Sequence, residues 1–242
     1  MPNIFAPFGL SYYDYEGGKE NYVTRDVPLS LTSSGIGKSF GQGDTMGITT
    51  NSTNSGLVYT AWTTGTAGSS ANAANYIMGV FTQVSYTTPQ GQQVPGGSTN
   101  PGFYWPANTP TFNSAAPVVK LMHLPNTVWK VQCNGSLPAL GAYGVNYGLI
   151  ANGGVYDANN GYNGVPLPTD TSVAANPASG QSQQFLVVNN TGGVNNTNGV
   201  LKIIGLCPES TALPSNKWND PYPVVLVKIN LHFLSAPTVS TF

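Results

Sequence analysis

The chain has 242 residues, enough to bury a sizeable core in one domain, yet only 7% are charged against roughly 25% in an average soluble protein. Eight Lys and Arg against nine Asp and Glu leave a net charge of −1 and no basic stripe, so a nucleic-acid partner is not expected. Mean hydropathy is −0.09 and no apolar run approaches the roughly 20 residues that cross a bilayer, so no membrane partner is expected either.

The opening MPNIFAPFGL has neither a positive n-region nor a continuous apolar stretch, which argues against a secretory signal. Residues 1–20 place Phe5, Phe8, Tyr12, Tyr13 and Tyr15 around Gly9, Gly17 and Gly18 with little strand alternation. So many rings imply burial. The segment reads as an extended aromatic arm packed on its own domain or on another subunit, or else as part of the core, with residues 21–242 forming the domain itself.

Glycine (29 residues) and proline (19 residues) punctuate the chain throughout, and no long segment carries a 3.6-residue apolar period. Strands are predicted at 22–31, 44–50, 56–62, 76–87, 116–124, 127–134, 147–152, 184–190, 200–207 and 222–234. In the last, Val225, Val227, Ile229, Leu231 and Phe233 share one face while Lys228, Asn230 and His232 share the other, so His232 is expected to finish a strand. Between the fifth and sixth, Pro125-Asn126 makes either a hairpin or a tight corner, and Trp129, Val131 and Cys133 share a face beyond it. The segments Thr63–Asn75, Thr88–Asn113 and Ala151–Gln183 are too long for hairpin turns and read as loops that bind or pack against something. The fold class is therefore all-β: a single-domain β-barrel or jelly-roll-like sandwich with long loops.

Chemistry is sparse. The nine acids show no spacing that singles out a catalytic pair, and Asp157 and Asp170 sit in a Gly/Asn-rich stretch that favours turn capping. His123 and His232 each stand among apolar strand residues, and no serine or cysteine lies in a G-x-S-x-G elbow. GIGKSFGQG (35–43) has the wrong spacing for a phosphate loop and reads as a turn leading to Asp44 at a strand start. Cys133 and Cys207 lack metal-ligand spacing and read first as reduced, buried small hydrophobes, with a disulfide as the less favoured alternative. Asn-x-Ser/Thr triplets at Asn51, Asn134, Asn189 and Asn195 would matter only in a secreted eukaryotic protein. No catalytic residue, metal or cofactor is assigned. Tyr104 and Trp105 in GFYWPA could form a stacking platform for sugars, or plug one end of the fold or a subunit seam.

Taken in order, the blocks APFGLSYYDYEGG, GDTM, YIMGVFTQVSY, FYWPA, VVKLMHLPNTVWKVQCNGS, GVNYGL, LKIIGL and VKINLHF span nearly the whole chain. In that order the chain resembles the capsid decoration, or cement, proteins of tailed bacteriophages. The resemblance implies a non-enzymatic virion protein on the outer surface of the icosahedral head, made in the host cytoplasm. It implies a homodimer or homotrimer whose partner is the major capsid protein. Under that resemblance Phe5, Phe8, Tyr12, Tyr13, Tyr104 and Trp105 are the expected contact residues. A carbohydrate- or receptor-binding virion module, such as a fibre or spike head, is the alternative reading.

Overall fold

The computed structural model describes residues 8–16, 24–29, 40–49, 58–61, 77–95, 103–106, 109–133, 135–137, 146–151, 175–176, 181–182, 184–187, 201–208, 216–229 and 232. Phe5, the segment 63–75, Asp157 and Asp170 lie outside them.

Nearly all described secondary structure is strand. Five strands make a first antiparallel sheet: β2 (Thr24–Pro28), β4 (Thr45–Thr49), β5 (Val58–Ala61), β6 (Ile77–Thr87) and β9 (Val118–Met122), in the order β2-β9-β6-β4-β5, with β7 (Gln93–Val94) added to the far end of β6. Six make a second: β1 (Ser11–Tyr15), β10 (Thr127–Gln132), β11 (Asn146–Ala151), β14 (Gln184–Val187), β15 (Leu201–Leu206) and β16 (Val224–Ile229), in the order β1-β10-β16-β15-β11-β14. Two short ribbons complete the set, β3 (Phe40–Gly41) with β8 (Tyr104–Trp105), and β12 (Ala175–Asn176) with β13 (Gln181–Ser182). The architecture is an all-β sandwich of packed antiparallel sheets. A single bridge from Cys133 to Leu186 brings β14 back toward the end of β10, but among the described residues no barrel closes.

Each of the ten predicted strands overlaps one of these elements. The turn after β9 is the corner, not the hairpin: β9 belongs to the first sheet and β10 to the second, and a Thr127 N–H to Leu124 carbonyl bond of 3.3 Å closes the turn between them. Side chains then fall as alternation dictates. Trp129, Val131 and Cys133 of β10 and its end, with Val225, Val227 and Ile229 of β16, fill a core against Ile77, Val80 and Met122 of the first sheet.

The first sheet is covered on its other face too. Met78, Phe81, Val84, Val119 and Leu121 pack with Leu29, Phe40 and Trp105 in a second apolar cluster. Phe40 meets Phe81 edge-on at 4.9 Å and lies nearly parallel to Trp105 at 6.3 Å, while Tyr86 meets Trp105 edge-on at 5.2 Å. Burial on both faces explains why β6 begins as the unbroken run IMGVF rather than an alternation. Register shifts beside Met46 and between Phe81 and Gln83 add residues to the strand and change which face each serves.

Two features depart from expectation. Residues 11–15 are a strand, β1, paired with β10 and broken by a bulge between Tyr12 and Asp14; that bulge hides the alternation. Strand β16 is described to Ile229, and His232 bridges Ile77 of the first sheet where a continuation of β16 was expected; Leu231 and Phe233 lie outside the described residues.

Candidate functional site

The tight turn Gly41–Asp44 is the centre of a buried polar node. The Asp44 N–H bonds the Gly41 carbonyl at 3.0 Å, and Gly43 takes φ +94°, the left-handed region a third turn residue needs. The turn folds the Asp44 carboxyl inward to 1% exposure. Its Oδ2 accepts the Gly41 N–H at 2.8 Å, and its Oδ1 accepts the Ser182 hydroxyl. Ser182 Oγ accepts the Gln184 N–H at 3.0 Å, and Gln184 Oε1 accepts both the N–H and the hydroxyl of Thr45, at 3.0 and 3.2 Å.

Backbone bonds draw four segments onto this node. Gly9 N–H reaches the Gln184 carbonyl at 3.0 Å, Leu10 N–H the Gly43 carbonyl at 2.9 Å, Phe81 N–H the Asp44 carbonyl at 2.8 Å, and Ser182 N–H the Gln42 carbonyl at 2.8 Å. Gly9 has φ +72°, and a Cβ there would stand 2.4 Å from Ser182 Cβ, so only glycine fits. Burial pushes the Asp44 carboxyl up to about 8, against the opposing pull of the Ser182 and Gly41 hydrogen bonds. Closed to solvent and bonded on both oxygens, it ties β1, the β3–β4 turn, β6 and β14 together.

Beside the node lies a groove of about 790 Å³. Phe8, Tyr12 and Tyr13 line it, together with Lys130 of β10, Gln42, Thr82 and Cys207. Tyr12 is half-buried and held edge-on to Trp129 at 6.5 Å and 88°. Tyr13 is exposed at 41%.

Three of the expected contact residues, Phe8, Tyr12 and Tyr13, thus come together. Tyr104 and Trp105 do not join them: both sit on β8, Tyr104 half-buried, and Trp105 is sealed in its own chain's core against Phe40 and Tyr86, which removes it as an exposed stacking platform or contact. A Trp at a strand position opposite Phe40 gains more by burial than by display.

The two histidines meet at the other sheet junction. His232 is fully buried, its ring reaching the backbone of His123 and Met78; burial above all, and the neighbouring His123, lower it to about 4. Burial and the Arg25 guanidinium lower His123 as well. Cys133 and Cys207 are free thiols, both buried, and burial raises both. Among the described residues no three metal-ligating side chains cluster.

Sequence reasoning missed Ser182 and Gln184, which lie 138 and 139 residues from their partners Asp44 and Thr45. The available signal was the acid itself: a G-x-G-D turn opening onto an apolar strand, in a chain with only nine acids. No known protein family, characterised protein or solved structure matches the chain.

Proposed function

We propose that this protein is a structural component of a tailed-bacteriophage virion that binds the outside of the icosahedral head as a homo-oligomer and clamps neighbouring capsid subunits. The observation that carries the reading is the aromatic strand β1 at the edge of the second sheet, presenting Tyr12 and exposed Tyr13 beside a groove, in a chain with only 7% charged residues. A chain poor in charge suits a broad, shape-matched contact, because aromatic rings supply contact area and uncharged polar groups bond across an interface without the desolvation penalty of an ion. Several such contacts held at once gain further from effective concentration.

The edge itself is not left open for strand addition. Asp14 Oδ1 accepts the Tyr15 N–H at 2.7 Å, and Glu16 pairs with Lys228, so β1 carries charge and a bulge where a bare edge would invite another strand. Contact through β1 therefore runs through its side chains.

The test is binding of the purified protein to heads that lack it, followed by heat challenge of the particles. Deleting residues 1–20 would remove β1 and core residue Leu10, so the informative variant is Tyr13→Ser, which alters only an exposed ring. Stoichiometric binding and protection by the wild type, weakened about tenfold in Tyr13→Ser, support the reading. Absence of binding to any head by the folded wild type overturns it.

A further inference from the structure

The groove beside β1 has features that a capsid contact does not need. Its volume of about 790 Å³ lies within the roughly 300–1,000 Å³ of small-ligand sites. Its base is apolar, from Leu10, Val80 and Phe81, and its wall carries two tyrosines, one of them fixed against Trp129 and one exposed. The polar lining is neutral except at one point, since no carboxylate lines the groove among the described residues and Lys130 supplies its one charge.

Lys120 of β9 faces Asp26 and Lys228 of β16 pairs with Glu16, whereas Lys130, like Lys202 and Lys217, has no ion pair among the described residues, and of these three only Lys130 lines the groove. It stands opposite Ser11 in the register of β1 with β10, on the same strand pair that presents the tyrosines. A half-buried lysine lining a groove, with no acid beside it among the described residues, is complementary to a single anionic group on a ligand.

We propose that this groove binds a saccharide bearing a carboxylate, with the Tyr13 ring against the apolar face of a sugar and the Lys130 ammonium on its carboxylate. Aromatic faces match the C–H face of a pyranose, and the exposed amide of Gln42 can bond its hydroxyls. A single cation also sets the class. It is too little for a polyphosphate, whose binding is built from many basic contacts, and sufficient for one uronic or sialic acid unit. The site needs no capsid, so it stands or falls separately from the cementing role.

The experiment titrates the full-length purified protein by calorimetry with trigalacturonate, with maltotriose as the uncharged sugar and citrate as a carboxylate without a ring. Saturable binding of trigalacturonate alone is expected, weakened by added salt, about tenfold weaker in Lys130→Met and about three- to tenfold weaker in Tyr13→Ala. Lys130→Arg should restore most of the affinity. Melting temperatures of the variants, expected to stay within about 2 °C of the wild type, separate loss of binding from loss of fold. No heat with trigalacturonate, equal binding of maltotriose or of citrate, or affinity unchanged in both Lys130→Met and Tyr13→Ala would each overturn the proposal.

Discussion

Strand β6 carries two sheet junctions four residues apart, and they solve the same problem in opposite ways. At Phe81 the partner is Asp44, an acid enclosed with two hydrogen-bond donors; at Ile77 it is His232, a base enclosed beside another base. Both have lost water, and burial moves each toward its neutral form, the acid up to about 8 and the histidine down to about 4. What differs is the direction in which pH threatens them. Folded Asp44 keeps a proton that the unfolded chain releases near 3.8, so its contribution is complete at low pH and drains as pH climbs through 8. Folded His232 refuses a proton that the unfolded chain takes up near 6.5, so its contribution is complete above that value and drains as pH falls toward 4.

The largest effect expected from separating the two is at the acid. Asp44→Ala leaves the Gly41 N–H and the Ser182 hydroxyl buried without their acceptor and should lower unfolding free energy by about 2–5 kcal/mol in urea titration at pH 6. Asp44→Asn, which keeps an acceptor oxygen, should be milder and should flatten the decline in stability between pH 6.5 and 8; a decline as steep as the wild type's would remove Asp44 as its source.

Next comes the histidine. Passing from 6.5 to about 4 at roughly 1.4 kcal/mol per pH unit makes its share of acid destabilisation about 3.5 kcal/mol at most. In His232→Asn the loss of stability on going from pH 7 to pH 4.5 should shrink by that order, read from denaturation midpoints. An unchanged acid limb would assign it elsewhere.

The smallest effect lies on the surface of the same sheet. Lys120 and Asp26 approach to 3.9 Å with side chains 42% and 61% exposed, so Lys120→Ala should change stability by no more than about 0.5 kcal/mol at any pH tested. A larger change would mean that solvent-facing charge matters here as much as the two enclosed groups.

How much of this was legible in the sequence depends on the origin of each feature. The long strands were readable because burial on one face writes an alternation, as in Val225, Val227 and Ile229, or on both faces an apolar run, as in IMGVF. Strand β1 was not, because an edge strand with a bulge exposes Tyr13 and Asp14 side by side and breaks the period. The Pro125-Asn126 turn was visible as a turn, but hairpin and corner use the same residues, and only the sheet to which β10 belongs decides between them. The node at Asp44 was invisible for a different reason: Ser182 and Gln184 carry no local mark of being acid partners, and their meeting is a property of the assembled sheets. Trp105 shows the converse, since an aromatic pair beside a proline looks alike in sequence whether it faces solvent or Phe40.

The corner at Leu124–Thr127 also sets a timetable for synthesis. Among the described residues every main strand of the first sheet lies within residues 24–122, so those strands exist before any of β10 has been made. Strand β1, made earlier still, has to wait for residues 127–132 before its ladder partner exists. On a ribosome adding about 5–20 residues per second, the tyrosine-bearing strand stays unpaired for several seconds while the sheet behind it takes shape. A chaperone that holds nascent chains would find its target there, in a strand that emerges ahead of the first sheet and finds its partner only after that sheet is made.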